Sequence, residues 1–174
     1  ITAPGVNGHT AERDQRLPYD PELSKKLLAE AGYPDGFSLT LDCPNDRYIN
    51  DEAICVAAIG MFAKIGVEVT LDAKTKSQHF SEVKEGDANG MTSDMYMLGW
   101  GVPTFDSHYV YSYLFDSAGS WNKVNFSNTR VDELVAAMGV ETDLDKRNAM
   151  IAEAWDITQD DVTYLPLHHQ VVNQ

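Results

Sequence analysis

No apolar run in the sequence approaches the roughly 20 residues that a membrane-spanning helix requires. There is no low-complexity tract and no internal repeat, which sets aside solenoid and array architectures. Positive charge is scarce. Thirteen Lys and Arg stand against 27 Asp and Glu, giving a formal net charge of −14. Such a surface repels phosphate backbones, and no Lys/Arg cluster interrupts it, so no nucleic-acid partner is expected. Cysteine is nearly absent. Cys43 and Cys55 form no CxxC pair, which removes zinc ribbons and thioredoxin-like motifs. Two cysteines are also a thin basis for a disulfide, so the weight goes against a bridge, and the pair does not report a compartment. The opening residues ITAPGVNGHT lack the basic start and apolar centre of a secretory signal.

The catalytic vocabulary is equally sparse. No G-x-S-x-G elbow and no Gly-rich phosphate loop occurs. Neighbouring His168 and His169 fall on an expected strand, point to opposite faces, and cannot clamp one metal together from there. Glu133, Glu141, Asp145 and Glu153 fit solvated helix faces. No catalytic residue, metal or cofactor is therefore assigned. A hydrolase would need a nucleophile–base pair or a metal cluster, and neither is visible.

What the chain does have is an ordinary globular composition, 43% hydrophobic and 23% charged over 174 residues, enough to bury one core. Residues 1–18 carry no periodicity and read as an extended leading segment. Asp20-Pro21-Glu22 is a helix start, with an Asx cap, proline in the first turn and an acid behind it. Leu23, Leu27, Leu28 and Ala31 repeat at helical spacing up to Gly32. Phe37 to Asp42 alternates as a half-buried strand with Asp42 on its polar side, and Pro44 to Arg47 forms the loop at its end. Asp51 is expected to cap a helix with Ile54, Ala58, Met61, Phe62 and Ile65 inward. Val67, Val69 and Leu71 mark a second strand, and Ser77 to Glu85 a short helix closed by Gly86.

Ser93 to Leu98 is nearly apolar throughout, the pattern of a central buried strand. His108 to Phe115 fits helix or strand by pattern, and its place after a loop favours helix. Asn128 or Thr129 caps a helix with Val131, Leu134, Val135 and Met138 inward. Thr142 caps a longer one with Leu144, Ile151, Trp155 and Val162 inward. Tyr164 to Gln170, interrupted by Pro166, reads as a short edge strand. This alternation predicts an α/β fold with a largely parallel sheet flanked by crossover helices.

The densest aromatic stretch is MYMLGWGVPTFDSHYVYSYLF, residues 95–115, broken by the corner Gly99-Trp100-Gly101. Local pattern alone favours an aromatic core strand and its turn. A strand end followed by glycines is, however, also where α/β folds place ligand sites. An indole between two glycines offers a flat apolar wall and a donor, and glycines let backbone approach a ligand. Asp106 suits a cationic group. Asn45 and Arg47, at the end of the first strand, are weaker candidates, equally well explained as a capped turn. This chemistry recognises ligands rather than breaking bonds.

Four stretches, in order, resemble the C-terminal lobe of the solute-binding proteins of ABC importers, in the peptide- and nickel-binding family (extracellular solute-binding family 5). They are YDPELSKKLLAEAGYPDGF at 19–37, LDCPNDRY at 41–48 with AKIGVEV at 63–69, MLGWG at 97–101 leading to SYLF at 112–115, and YLPLHHQ at 164–170. The resemblance implies a type II periplasmic-binding-protein-like lobe, with residues 1–174 forming one lobe of a two-lobe protein whose N-terminal lobe is missing. It also implies capture of a peptide or similar small solute in an interlobe cleft, and delivery to ABC permease subunits. The expected setting is periplasmic or lipid-anchored at the cell surface. Half a cleft is expected to bind weakly or not at all. In peptide-binding members an aspartate three residues after the corner tryptophan holds the ligand's α-amino group, and that position here is Pro103. WGVPTFDSH also resembles the W-G-x-P-x-D-P-H pattern of nickel-complex binders with one residue inserted, but Ala118 and Gly119 stand near the place of their later histidine. Ligand class therefore stays open, between a peptide and a metal chelate or other non-peptide solute. Trp100, Gly99, Gly101 and Asp106 are the leading site residues.

Overall fold

The computed structural model describes residues 2–85 and 93–170. The chain divides into two compact units, residues 17–100 and residues 1–16 with 101–174.

The first unit follows the expected alternation. Helix α1, Pro21–Glu30, begins where Asp20 accepts a hydrogen bond from the Leu23 amide at 2.9 Å. Strand β1, Phe37–Pro44, helix α2, Asp51–Ala63, strand β2, Val67–Lys74, and helix α3, Lys76–Glu85, come next. Strand β3, Met95–Tyr96, completes a three-stranded parallel sheet in the order β2-β1-β3. The register runs from Phe37 opposite Val67 to Pro44 opposite Lys74. Gly36 and Gly66 allow the two strand starts to meet, because a Cβ on Gly36 would lie 1.8 Å from the Gly66 carbonyl oxygen. Leu41, Cys43, Cys55, Val67 and Val69 form the buried centre, with Leu28, Ile59, Phe62 and Met97 packed around it.

The central strand is β1, not Ser93–Leu98. Ladder pairing to β3 is confined to Leu41–Met95 and Asp42–Tyr96, continued by the Met97 amide donating to the Asp42 carbonyl at 2.9 Å. Just before it, Asp94 Oδ2 accepts from both the Thr40 amide, at 2.7 Å, and the Thr40 hydroxyl, at 2.9 Å. A carboxylate thus occupies the place of a ladder partner and delays the strand. Gly86, expected to close α3, lies outside the described residues.

Cys43 and Cys55 are joined in a disulfide, which corrects the expectation of an unbridged pair. Counting cysteines misses what the fold does. The end of β1 and the first turns of α2 lie on one face of the sheet, bringing the two Cα atoms to 6.6 Å, within bridging range. Successive residues of a strand face opposite ways, so Asp42, one residue before, points towards α3. It is fully buried rather than solvated on a polar face. Its Oδ1 lies 2.7 Å from Nδ1 of His79, itself fully buried, and its Oδ2 is 3.5 Å from Nζ of Lys74. Lys74 also reaches Asp72 at 2.7 Å and Glu82. Burial pulls the Lys74 ammonium down, but the hydrogen bonds to Asp72 and Glu82 and the Asp42 charge outweigh it and hold the group above the usual lysine range.

The second unit is helical in its described residues. The segment expected as an extended lead, residues 1–18, contains turns at Ala3–Val6 and Thr10–Asp14, and Asn7 makes a parallel bridge with Asp106. Helix α4, His108–Val110, continues as a π-helical turn, Tyr111–Phe115, resolving the helix-or-strand ambiguity. Helix α5, Thr129–Met138, is capped by Asn128, whose Oδ1 accepts from the Arg130 amide at 3.0 Å. Val131, Leu134, Val135 and Met138 are buried, as spacing predicted. Helix α6, Leu144–Asp161, is capped by Asp143 instead of Thr142, since Asp143 Oδ1 accepts from the Asp145 and Lys146 amides. That one-residue offset leaves Leu144 67% exposed, while Ile151 and Trp155 are buried as expected. Val162 is half exposed beyond the helix end, in the left-handed region.

Tyr164–Gln170 is not a strand. Pro166 offers no donor, and the segment docks through side chains instead. The Tyr164 ring packs edge-on to Phe115 at 5.3 Å, and the Leu167 carbonyl accepts from Arg16 at 2.7 Å. His169 lies 3.5 Å from Asp14, and His168 is exposed.

Candidate functional site

The corner that closes the first unit is built by the loop after β1. Asp51 sits at the start of α2 and is 4% exposed. It does not cap forwards alone. Oδ2 accepts from the Arg47 and Tyr48 amides at 2.8 and 2.9 Å, and Oδ1 accepts from the Glu52 amide at 3.0 Å. Burial pushes the carboxyl up, but these backbone donors outweigh it and hold Asp51 below the usual aspartate range. Asn50, at the N-cap, takes the left-handed conformation that lets the loop turn back.

The product of this turn is the position of Tyr48. Its hydroxyl accepts from the Gly99 amide at 2.9 Å and lies 3.4 Å from the Gly99 carbonyl, to which it donates. The ring covers Gly99 so closely that a Cβ there would lie 2.5 Å from ring carbon Cε1. Glycine is needed at 99 for this approach. Gly101 is different: a Cβ added there meets nothing within 4 Å. Gly99 and Gly101 are exposed, and Trp100 is half-buried.

Asn45 and Arg47 stand on the same loop. The Asn45 amide donates to the Lys74 carbonyl at 2.9 Å, extending the β1–β2 ladder by one rung. The Arg47 guanidinium lies 4.9 Å from the centre of the Tyr48 ring, a cation–π arrangement. Both side chains are exposed. Met97, two residues before the corner, places Sδ 3.8 Å from Cys43 Sγ and 3.6 Å from Cys55 Sγ. With no thiol proton present, these are sulfur packing contacts.

Asp106 belongs to the second unit and is heavily engaged. Oδ1 accepts from Arg147 Nη2 at 2.7 Å and from the His108 amide at 2.9 Å, and Oδ2 accepts from Asn7 Nδ2 at 3.0 Å. It therefore takes up the first amide of α4, from outside the Ser107 N-cap, and closes an ion pair with α6. A carboxylate has about four acceptor positions, so one remains. Asp106 and Arg147 line a groove of about 450 Å³ with Thr104, His108, Tyr109, Ser112 and Tyr113. Tyr109 and Tyr113, one helical turn apart, hold their rings 4.6 Å apart. His108 Nε2 is 3.2 Å from the Val135 carbonyl, a donation that fixes the proton on that nitrogen. Phe105 is 70% exposed with φ +53°, an unusual place for an aromatic side chain.

Sequence reasoning placed Trp100 and its glycines at the end of β3 but missed the two residues that organise these places, Tyr48 and Arg147. Tyr48 lay within the LDCPNDRY motif, where its aromatic ring in an otherwise polar loop was a usable signal. Arg147 carried none, being one polar residue on an exposed helix pattern. Of the aromatic run, Tyr111 and Phe115 belong to the core.

The family model for bacterial extracellular solute-binding proteins, family 5 (middle region), matches residues 1–122. The glutathione-binding protein GsiB of Salmonella typhimurium is 30% identical over 161 residues, covering 90% of this chain and 31% of that protein. The chain thus spans about a third of the length of the curated relatives it matches. Among solved structures, the periplasmic binding protein DppA of Helicobacter pylori, in complex with the peptide STSA, superposes with a TM-score of 0.75 at 24% identity. That match covers 95% of this chain and 31% of DppA. AgaA of A. tumefaciens R10, in complex with agropinic acid, gives 0.76 at 22% identity, covering 90% and 31%. The fold is accordingly that of type II periplasmic binding proteins. With its corner motif inside the matched region, this chain belongs to the family 5 bacterial extracellular solute-binding proteins.

Proposed function

We propose that this chain is one lobe of the substrate-binding component of an ABC importer, and that the full-length protein captures a peptide or peptide-like solute outside the cytoplasm. The observation that carries the reading is the family match across residues 1–122, which contains the Gly99–Trp100 corner. Trp100 supplies the apolar wall, and Gly99 and Gly101 supply backbone to the solute. The chemistry required is recognition alone, so no catalytic role is assigned. The Cys43–Cys55 disulfide supports an oxidising compartment such as the periplasm. ABC permease subunits are the partners this reading implies, and the missing N-terminal lobe completes the cleft.

Peptide chemistry is favoured by the relatives, since GsiB is named for glutathione and DppA carries STSA. AgaA carries agropinic acid on the same fold, so a non-peptide solute is the second reading. Asp106 keeps a single acceptor position after Arg147, His108 and Asn7 are served, which suits at most one hydrogen bond from a ligand ammonium.

The test is mass spectrometry of the solute that co-purifies with the full-length protein, followed by calorimetry with that solute. A peptide that loses about tenfold or more in affinity in the Trp100→Ala variant is the expected result. A co-purifying sugar or metal chelate transfers the assignment to the second reading, and unchanged affinity in Trp100→Ala removes the corner from the site.

A further inference from the structure

We propose that Tyr48 is the positioning residue of the Gly99–Trp100 corner, and that the Cys43–Cys55 disulfide is the tie that keeps Tyr48 in place. This rests on the reading of Trp100 as the wall against which a solute packs.

Three features converge on the corner. The Tyr48 hydroxyl serves both polar backbone groups of Gly99, accepting from its amide at 2.9 Å and donating to its carbonyl at 3.4 Å. The residue so held directly precedes the indole, and its backbone is exposed. Water would otherwise serve those groups and leave the backbone free to rotate. The ring closes the remaining freedom, because it occupies the space a side chain at 99 would need. Tyr48 therefore restrains by hydrogen bonding and by volume together, and the indole starts from a backbone with one conformation.

Tyr48 is itself held from behind. Its amide and that of Arg47 both donate to the buried Asp51 carboxylate, at 2.9 and 2.8 Å. The disulfide closes the segment containing all of these residues, tying Cys43 at the end of β1 to Cys55 in α2. The same disulfide touches the corner strand directly, since Met97 Sδ lies 3.8 and 3.6 Å from its two sulfurs. The loop and the corner strand thus meet twice, once through sulfur packing at Met97 and once through the phenol at Gly99. A ligand arriving at Trp100 meets a wall that is already ordered, which lowers the ordering cost of binding.

Tyr48→Phe tests the tie, because it keeps the ring and removes only the hydroxyl. The readouts, in the full-length protein, are amide hydrogen exchange at Gly99 and calorimetric affinity for two probes, glutathione and trialanine. Losing one hydrogen bond of ordinary net strength predicts Gly99 exchange faster by about three- to tenfold and a comparable loss of probe affinity. Exchange at Leu41, in the sheet interior, stays unchanged. The Cys43→Ala/Cys55→Ala double variant is expected to move Gly99 exchange and affinity in the same direction. Unchanged Gly99 exchange in Tyr48→Phe overturns the proposal, as does faster exchange with undiminished probe affinity. Should the wild type bind neither probe, the peptide reading fails separately, and Gly99 exchange alone decides whether Tyr48 sets the corner.

Discussion

Each of the two units is stabilised internally by its own kind of chemistry. Residues 101–170 with the opening segment rely on close-packed apolar volume. Phe115, Val131, Met138 and Ile151 are fully buried, and the Phe115 ring meets those of Tyr111, Phe126 and Tyr164. Residues 17–100 have a slimmer apolar centre, and α1 buries none of its residues fully. That unit makes up the difference with a disulfide, a buried Asp42–His79–Lys74 cluster and the Asp51 turn. The contrast teaches where each is vulnerable: one to lost volume, the other to lost charge or a lost covalent bond.

The largest effect is expected from Phe115→Ala, which empties the meeting point of three aromatic rings. The loss should be about 3–5 kcal/mol, read by denaturant unfolding with hydrogen exchange at Val131–Met138 as the local reporter. A loss below about 1 kcal/mol would mean that the helical unit does not depend on volume as described. Next comes removal of the disulfide in Cys43→Ala/Cys55→Ala. The bridged residues are 12 apart, and closing a loop of that order stabilises by about 3 kcal/mol in the chain-entropy account. The effect should appear as faster exchange along β1 and β2.

The smallest effect sharpens the comparison through pH. Asp51 is held below its ordinary value of 3.8, so on acidification the unfolded chain takes up this proton first. The stabilisation is complete above about pH 5 and disappears as the pH falls below about 4, through the folded value. Asp51→Ala should cost about 1–2 kcal/mol at neutral pH and flatten that part of the acid limb. Stability of the variant tracking the parent across the acid range would remove Asp51 from the account.

Much of the fold was legible because its signals are local. Asp20-Pro21 announces α1, the alternation in 37–42 announces β1, and Val131, Leu134, Val135 and Met138 keep strict helical spacing. What escaped was set by tertiary partners. The apolar spacing of 93–98 cannot show that Asp94 spends its carboxylate on Thr40 and delays β3. Asp42 reads as a solvated strand residue until α3 covers it. Helix α2 is apolar nearly all round, so no period selects Ile59 over the exposed Met61. The candidate site was half legible for the same reason. Gly-Trp-Gly stands out in one dimension, whereas Tyr48 and Gly99 are 51 residues apart and Asp106 and Arg147 are 41 apart.

Asp42 and Cys43 are neighbours that point to opposite faces of the central strand, one into an ionic cluster and the other into a covalent bond. The strand end from which the corner loop springs is therefore secured twice, once on each face of the sheet. A thiol reductant opens the sulfur side and leaves the ionic side in place. Loss of the bridge alone therefore loosens the corner loop, while the ionic side still fastens the strand end.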